Sequence, residues 1–253
     1  MLTAHGVTHT GHVRETNEDT LLIDLDLGLF LVADGMGGHV AGEVAARLAA
    51  DTIRSFVARS REGGKCTWPF GIDPDFSFAA NQLRTAVRLA NRRVFRASES
   101  RDEYTGMGST VVAALIEGDQ LAFAGVGDSR IYAYTDASLT QLTSDDSWVA
   151  TVLAHDPEVD PASLATHPMR HVLTNALGAR DKTEVEIGER TLADGEVLLL
   201  CSDGLYGGLD NATLADIMGS GAEVAVAVQR LLDAALERGG KDNITALLLK
   251  QTA

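Results

Sequence analysis

The apolar residues of this chain follow two different periods, which separate its predicted helices from its predicted strands. From Gly38 to about Ala58 they recur every three or four positions, with charged residues on the opposite side, as in an amphipathic helix with one buried face. The same pattern predicts a second helix from about Phe78 to Ser98. Short apolar runs of strand type occupy residues 1–13, 20–33, 109–116, 120–126 and 130–134, with a turn expected at 24–26.

The second half of the chain contains one long irregular segment and then a helix-rich end. Residues 143–182 are polar and rich in Asp, His and Pro, and an irregular segment of this length is usually functional. A buried strand is predicted over Glu196–Cys201, followed by helices at about 210–218 and 222–237 and a last strand at 243–250. Antiparallel strands joined by hairpins, with pairs of helices between strand groups, predict an α+β fold in which sheets pack face to face and helices lie outside.

Composition narrows the classes of function. The chain has 253 residues and a net charge of −15, from 36 acidic and 21 basic residues, so we expect it to bind neither nucleic acid nor a membrane. Its longest apolar run, around Leu27 to Ala33, is too short to cross a bilayer, and residues 1–6 lack the features of a signal peptide. We therefore expect one cytoplasmic domain over residues 1–253. Cys66 and Cys201 suit neither a structural zinc site nor a disulfide framework.

Acidic residues recur where predicted strands begin or end. Three apolar runs finish in an aspartate followed by a small residue, and two further acidic positions lie just before strands; the residues are Asp34, Asp128, Asp203, Asp242 and the pair Glu18-Asp19. Any one of them alone is more often a turn or cap residue. If all converge, two carboxylates about 4 Å apart repel by roughly 4 kcal/mol at an effective dielectric near 20, so cations are needed to hold them together.

The cations expected here are hard ones, because the ligands are oxygens and neither cysteine nor histidine accompanies the acids. Mg²⁺ or Mn²⁺ fits best. Two such ions that share a carboxylate can hold a water, lower its pKa and present it as a nucleophile. Arg14, the base beside the acidic cluster, either forms a surface salt bridge or grips two phosphate oxygens with its planar guanidinium. A dimetal centre beside an arginine suits phosphoester hydrolysis.

Other phosphate and hydrolase chemistries lack their motifs. The sequence contains no Gly-x-Ser-x-Gly elbow, no Gly-x-x-x-x-Gly-Lys-Ser/Thr loop and no Gly-x-Gly-x-x-Gly. Neither cysteine is followed by arginine at the spacing that a cysteine phosphatase uses.

Seven ordered segments give the chain a family resemblance. They are Arg14-x-x-Asn17-Glu18-Asp19, residues 32–39 (Val-Ala-Asp-Gly-Met-Gly-Gly-His), residues 106–110, Gly127-Asp128-Ser129-Arg130, residues 167–178 (His-Pro-x-Arg onward), Ser202-Asp203-Gly204-Leu205 and Asp242-Asn243-Ile244-Thr245. With them the chain resembles the metal-dependent (PPM, or type 2C) serine/threonine protein phosphatases in their compact bacterial form. The resemblance implies a four-layer α-β-β-α sandwich, in which two central antiparallel β-sheets are flanked by helix pairs.

The resemblance also implies a role for each acidic residue. Asp34 bridges two Mn²⁺ or Mg²⁺ ions, the Gly35 carbonyl binds one of them, and Asp203 and Asp242 hold the first ion. Glu18 reaches the second ion through water, and Asp19 supports that water shell. Asp128 and Asp203 form a third metal site. Arg14 binds the substrate phosphate, and a flap subdomain covers about residues 143–170.

Some positions depart from the family pattern. Met36 stands where some members have a histidine that acts as general acid, so His39 is the nearby candidate for that role. His39 can equally well support the turn, and metal-bound water can serve as the acid instead. The flap has Asp145-Asp146-Ser147-Trp148 where bacterial relatives usually have Asp-His-Ser. Its His167 and Arg170 match the His-Pro-x-Arg motif, but His171 follows where asparagine is common. These changes affect the expected flap conformation and substrate preference rather than the metal ligands.

The sequence therefore predicts a monomeric phosphatase that hydrolyses phosphoserine and phosphothreonine in proteins by direct attack of water, without a phosphoenzyme. A bacterial Ser/Thr kinase is its implied counterpart. Two alternatives stay open: a pseudophosphatase that only binds partners, since fold alone does not establish function, and a hydrolase of small phosphoesters.

Overall fold

Two antiparallel β-sheets form the centre of the molecule in this computed structural model, which describes residues 2–37, 41–62, 66–156, 158–164 and 166–252. One sheet has the strand order β1-β11-β10-β7-β8 and the other β2-β3-β5-β6-β9, with β4 paired to the end of β3. The strands are β1 (Leu2–His9), β2 (Asp19–Asp24), β3 (Leu29–Met36), β4 (Gly108–Ser109), β5 (Val111–Glu117), β6 (Gln120–Val126), β7 (Arg130–Thr135), β8 (Ser138–Gln141), β9 (Glu186–Thr191), β10 (Val197–Cys201) and β11 (Ile244–Gln251).

Helices cover the outer faces of both sheets, and two further short helices lie in the connection between β8 and β9. Their bounds are α1 (Ala41–Arg61), α2 (Phe78–Ser100), α3 (Trp148–His155), α4 (Pro161–Leu164), α5 (Asp203–Tyr206), α6 (Asn211–Met218) and α7 (Val224–Glu237). The α1–α2 pair packs on the sheet that contains β3, and α7 packs on the sheet that contains β11. Within the described ranges, no helix is long and apolar enough to span a membrane.

Strand β3 shows how the layers are built. Its residues alternate between two cores, because successive side chains of a strand point to opposite faces of the sheet. Leu29, Leu31 and Ala33 pack beneath α1 and α2, whereas Phe30 and Val32 face the other sheet. A strand buried on both faces is apolar throughout, which explains the unbroken run in the sequence. The predicted α+β sandwich of two sheets with outer helices is confirmed.

Several predicted boundaries differ from the structure. Strand β1 ends at His9, and residues 11–13 form a turn instead of continuing the strand. The turn expected at 24–26 lies at 25–28, with Gly28 at φ 60°. Strands β8 and β9 were not expected, since both lie at sheet edges and carry polar residues that give no alternation signal.

Candidate active site

The ends of β2 and β3 bring the first two acidic residues together. Asp19 and Asp34 are direct cross-strand neighbours, so their side chains share one end of the sheet. The backbone of Asp34 is fixed on its other side: its carbonyl accepts hydrogen bonds from the Thr110 amide (2.8 Å) and the Ser109 hydroxyl (3.0 Å). Its amide donates to Thr110 Oγ1 at 3.1 Å. The carboxylate of Asp34 is therefore held on rigid strands.

A single cavity collects most of the acidic residues that the sequence analysis selected. Its lining includes Arg14 and Gly35 together with the acids Glu18, Asp34, Asp128, Asp203 and Asp242. Asp19 does not line the cavity; it lies behind it, 8% exposed, and its Oδ2 accepts a hydrogen bond from the Ser202 hydroxyl at 2.7 Å. The segments therefore converge as expected, although they are far apart in the sequence.

Burial and mutual repulsion raise the pKa values of these carboxyl groups. Desolvation by burial is the largest cause at each, and the charges of neighbouring aspartates add to it. The pKa of Asp19 rises to about 6 and that of Asp128 to about 7, while the pKa of Asp34 lies well above its usual value. The pKa values of Asp203 and Glu18 are raised as well. The cavity thus disfavours this many negative charges unless protons or cations accompany them.

The donor set of the cavity fits hard divalent cations. The clustered acidic side chains offer only oxygen atoms, which Mg²⁺ and Mn²⁺ prefer. Asp19 Oδ1 is buried and accepts no hydrogen bond, so it has capacity left for a water of a cation's shell. Among the described residues, however, no three His, Cys, Asp or Glu side chains are grouped into a finished ligand cage. Asp242 Oδ2 instead accepts a hydrogen bond from Arg14 Nη2 at 2.8 Å.

Asn243 holds the loop that carries Arg14 and Glu18. Its Oδ1 accepts a hydrogen bond from the Glu18 amide at 2.8 Å. Its Nδ2 donates to the carbonyls of Thr10 (3.0 Å) and Thr16 (2.8 Å). Asn243 is only 6% exposed, so these contacts are shielded from water. Asn243 belongs to one of the seven motifs, but its role is not predictable from the sequence, because its partners lie more than 200 positions away.

Asn243→Ala is expected to lower both stability and activity. The change leaves the Glu18 amide and two carbonyls without partners, which we expect to cost about 1–2 kcal/mol in the free energy of unfolding. Displacement of Glu18 and Arg14, which the sequence predicts to bind a metal ion and a phosphate, should lower turnover about tenfold, because catalytic groups tolerate little misplacement. Urea unfolding and p-nitrophenyl phosphate turnover measure the two effects. Asn211→Ala, at an exposed position, is the control; equal results for both variants would contradict the role of Asn243.

Comparison with known proteins identifies the family. A sequence profile described as protein phosphatase 2C matches residues 8–248. The chain belongs to the protein phosphatase 2C family. The family prediction made from the sequence is thereby confirmed.

Individual relatives of this phosphatase 2C chain carry phosphatase names. It is 33% identical over 251 residues to a serine/threonine phosphatase, stp, of Listeria welshimeri, covering 96% of this chain and 94% of that one. It is 34% identical over 238 residues to the serine/threonine protein phosphatase PstP of Mycobacterium tuberculosis, of which it spans 43%. A solved catalytic domain of PstP in complex with two manganese ions has a TM-score of 0.84 and 31% identity, and the match covers 100% of this chain and 99% of that domain.

In this phosphatase 2C chain, the first flap residues fix the turn that carries Asp128. Arg130 forms two hydrogen bonds with Asp145, at 2.9 and 2.6 Å, and its guanidinium lies over the Tyr206 ring at 3.6 Å. The Tyr206 hydroxyl in turn donates to the Asp128 carbonyl at 2.9 Å. Arg130 belongs to one of the seven motifs and Tyr206 to none, and neither has a role predicted from the sequence, because only the folded contact between β7, α5 and residues 145–146 reveals it.

Asp146 forms a second link between the flap and this turn. Its amide donates to the Gly127 carbonyl at 2.8 Å, and its Oδ2 accepts from the Gly127 amide at 3.0 Å. The same Oδ2 accepts a hydrogen bond from Asn175 Nδ2 at 2.8 Å. The Asp146 carboxylate therefore binds both the turn at Gly127 and the far end of the irregular segment. Asp145 and Asp146 therefore lie at the base of the predicted flap and do not line the cavity.

The other predicted flap residues organise the flap itself. The Ser147 side chain caps α3 by accepting from the Ala150 amide at 3.2 Å. The Trp148 and His167 rings stack with centroids 4.3 Å apart and an interplanar angle of 18°. Arg170 is exposed, and among these positions only its neighbour His171 lines the cavity. His39, the candidate general acid, lies outside the described residues, and Met36 pairs with Gly108 at the end of β3.

Proposed function

We propose that this chain hydrolyses phosphoserine and phosphothreonine esters of proteins in a reaction that requires Mn²⁺ or Mg²⁺. The observation that carries the proposal is a single cavity in which five of the predicted acidic residues adjoin Arg14, in a chain of the phosphatase 2C family. The name of the PstP structure, which contains two manganese ions, supports the choice of metal. The phosphatase names of full-length relatives such as stp support the choice of substrate.

We assign the acidic residues to two core ions and a third one. Asp34 would be the ligand shared by the two core ions, the Gly35 carbonyl would bind one of them, and Asp203 and Asp242 would complete the first site. Glu18 and Asp19 serve the second ion, Asp19 through the water shell, which agrees with its position behind the cavity wall. Asp128 with Asp203 holds the third ion. Bound ions of this kind neutralise the clustered carboxylates and lower the pKa of water.

The residues of the chain supply orientation and charge for direct attack of water. A water oxygen forms a bond to phosphorus while the bond between phosphorus and the serine or threonine oxygen breaks. The water gives up one proton, and the released serine or threonine oxygen takes one up. Arg14 is positioned to bind phosphate oxygens, because its side chain is 55% exposed although its guanidinium contacts Asp242. His39 as the proton donor stays a prediction, as do the kinase counterpart, the monomeric state and the cytoplasmic location.

Arg14→Ala is expected to raise the KM for a phosphothreonine peptide about tenfold. A charge-assisted hydrogen bond contributes about 1.5–3 kcal/mol, and about 1.4 kcal/mol corresponds to a tenfold change in affinity. Initial rates over a range of peptide concentrations measure the effect. Arg47→Ala removes another arginine that pairs with a carboxylate, but on the exposed face of α1, and should leave KM unchanged. An unchanged KM in Arg14→Ala would refute the phosphate-binding role.

Metal dependence and substrate class test the proposed function together. The wild-type chain, after chelator treatment, is assayed with Mn²⁺, Mg²⁺ or excess EDTA on p-nitrophenyl phosphate and on phosphoserine and phosphothreonine peptides. Activity on the peptides that disappears in EDTA and returns with Mn²⁺ is expected. Full activity in EDTA would exclude the metal-dependent reaction, and no activity under any condition would favour the pseudophosphatase. Turnover of small phosphoesters alone would favour the small-molecule hydrolase.

A further inference from the structure

Arg180 provides a second guanidinium at the catalytic cavity, from a segment to which the proposed reaction assigns no task. It lines the same cavity as Asp34 and Asp203 and is exposed. Within the described part of the chain no carboxylate pairs with it, whereas Arg14 pairs with Asp242. The Arg180 guanidinium is therefore available to an acidic group of a ligand that enters the cavity.

The backbone that carries Arg180 is rigidly attached to α2. Asn91, which is 1% exposed, donates its Nδ2 hydrogens to the carbonyls of Arg180 and Asp181, both at 3.0 Å. Its Oδ1 accepts from the Gly178 amide at 2.8 Å. Gly178 has a φ of 84°, and an added Cβ would lie 2.4 Å from Val94 Cγ1. The buried Asn91 side chain thus fixes this turn with three hydrogen bonds, so the backbone of Arg180 is already ordered before a ligand binds.

The same turn is tied to the strand end that carries Asp34. Ser109 of β4 exchanges two backbone hydrogen bonds with Leu177, at 3.0 and 2.8 Å. Ser109 is also the cross-strand partner of Gly35 in β3. Arg180 is therefore anchored to the β3 sheet, whereas Arg14 contacts Asp242 at the start of β11 in the other sheet. The two arginines are thus anchored through contacts to different sheets.

We infer that Arg180 is a specificity-determining residue that binds an acidic side chain next to the phosphorylated residue of the protein substrate. The inference rests on the proposed function. A guanidinium binds carboxylates with a planar pair of hydrogen bonds, and phosphate held on the Arg14 side leaves Arg180 for a neighbouring residue of the substrate. The cavity then selects phosphopeptides with Asp or Glu beside the phosphoresidue over those with neutral neighbours.

Paired phosphopeptides test this inference. Each peptide contains one phosphothreonine. In the first pair the residue before it is glutamate or alanine, and in the second pair the residue after it is glutamate or alanine. The ratio of kcat/KM for the glutamate peptide to that for the alanine peptide is expected to be about five on one side of the phosphothreonine, the size of an exposed ion pair. Arg180→Ala should reduce this ratio to about one, and Arg180→Glu should bring it below one.

Lys182→Ala is the matched control, since Lys182 is an exposed cation of the same turn but does not line the cavity; the ratio should stay at its wild-type value. A ratio unchanged in Arg180→Glu would overturn the inference, even if both rates fall together, because a merely structural role affects both peptides alike. Wild-type turnover of p-nitrophenyl phosphate distinguishes failure of the proposed function from failure of the Arg180 inference. Its absence would refute the proposed function, whereas its presence without any flank preference would refute only the role of Arg180.

Discussion

Asp34→Asn is expected to lower Mn²⁺-dependent turnover of p-nitrophenyl phosphate on the order of a thousandfold. Loss of a residue that only supports a metal ligand costs about 10- to 100-fold in affinity or activity. Loss of the ligand that two ions share should reduce activity by a larger factor. Asparagine has nearly the same shape as aspartate but no charge, so it cannot balance two cations. Initial rates with saturating Mn²⁺ measure the effect.

The same variant should be at least as stable as the wild type in chelator. Burial raises the pKa of Asp34 well above its usual value. A group whose pKa is raised by folding loses its stabilising contribution as the pH rises through the folded-state pKa, so ionised Asp34 opposes folding at neutral pH. The neutral amide removes that cost. A thousandfold loss of activity without loss of stability would separate a catalytic role from a structural one.

Asp51→Asn makes the identical chemical change on the exposed face of α1 and should alter neither activity nor stability. Asp34→Asn with more than about a tenth of wild-type turnover would contradict the shared-ligand assignment, because a direct ligand should cost at least as much as a supporting residue.

Gly35→Ala is expected to lower the free energy of unfolding by about 3 kcal/mol, at the upper end of the cost of overpacking. An added Cβ would lie 2.1 Å from the Gly42 carbonyl oxygen and 2.7 Å from the Glu18 carbonyl oxygen. Both are backbone atoms and cannot move away as a flexible side chain can. The clash should push the start of α1 away from β3 and disturb Glu18, so activity should also require more Mn²⁺.

Gly208→Ala is the control for this steric effect, because its nearest neighbouring atom would be 3.8 Å away. Urea denaturation of both variants gives the comparison, with the midpoint reporting stability and the slope reporting two-state behaviour. If the two glycine variants unfold at the same midpoint, the close approach of β3, α1 and the Glu18 segment is not a constraint on this fold.

The local pattern of apolar residues was sufficient to predict the helices and strands that bury a continuous apolar surface. Helices α1 and α2 and strand β3 have strong periodic or apolar runs, and the structure contains them. The polar edge strand β9 gave no such signal, because only its pairing with β6 determines its conformation. Which face of β3 meets the helices also required the structure, since both faces are equally apolar.

The acidic part of the candidate site was predictable for a physical reason. A carboxylate at the end of a buried strand carries its own sequence signal, and the recurrence of this signal indicated convergence. Asn243, Arg130 and Tyr206 lack such a signal, because their roles consist of hydrogen bonds to segments distant in the sequence. The position of Asp19 behind the cavity wall likewise follows from its bond to Ser202.

The most direct test of the central claim, that these carboxylates hold divalent ions, is a calorimetric titration of chelator-treated protein with Mn²⁺. We expect the wild type to bind at least two Mn²⁺ ions per chain, the number in the PstP catalytic domain, and Asp34→Asn to lose that binding while Asp51→Asn keeps it. Binding of the same number of ions by Asp34→Asn, or of none by the wild type, would contradict the claim.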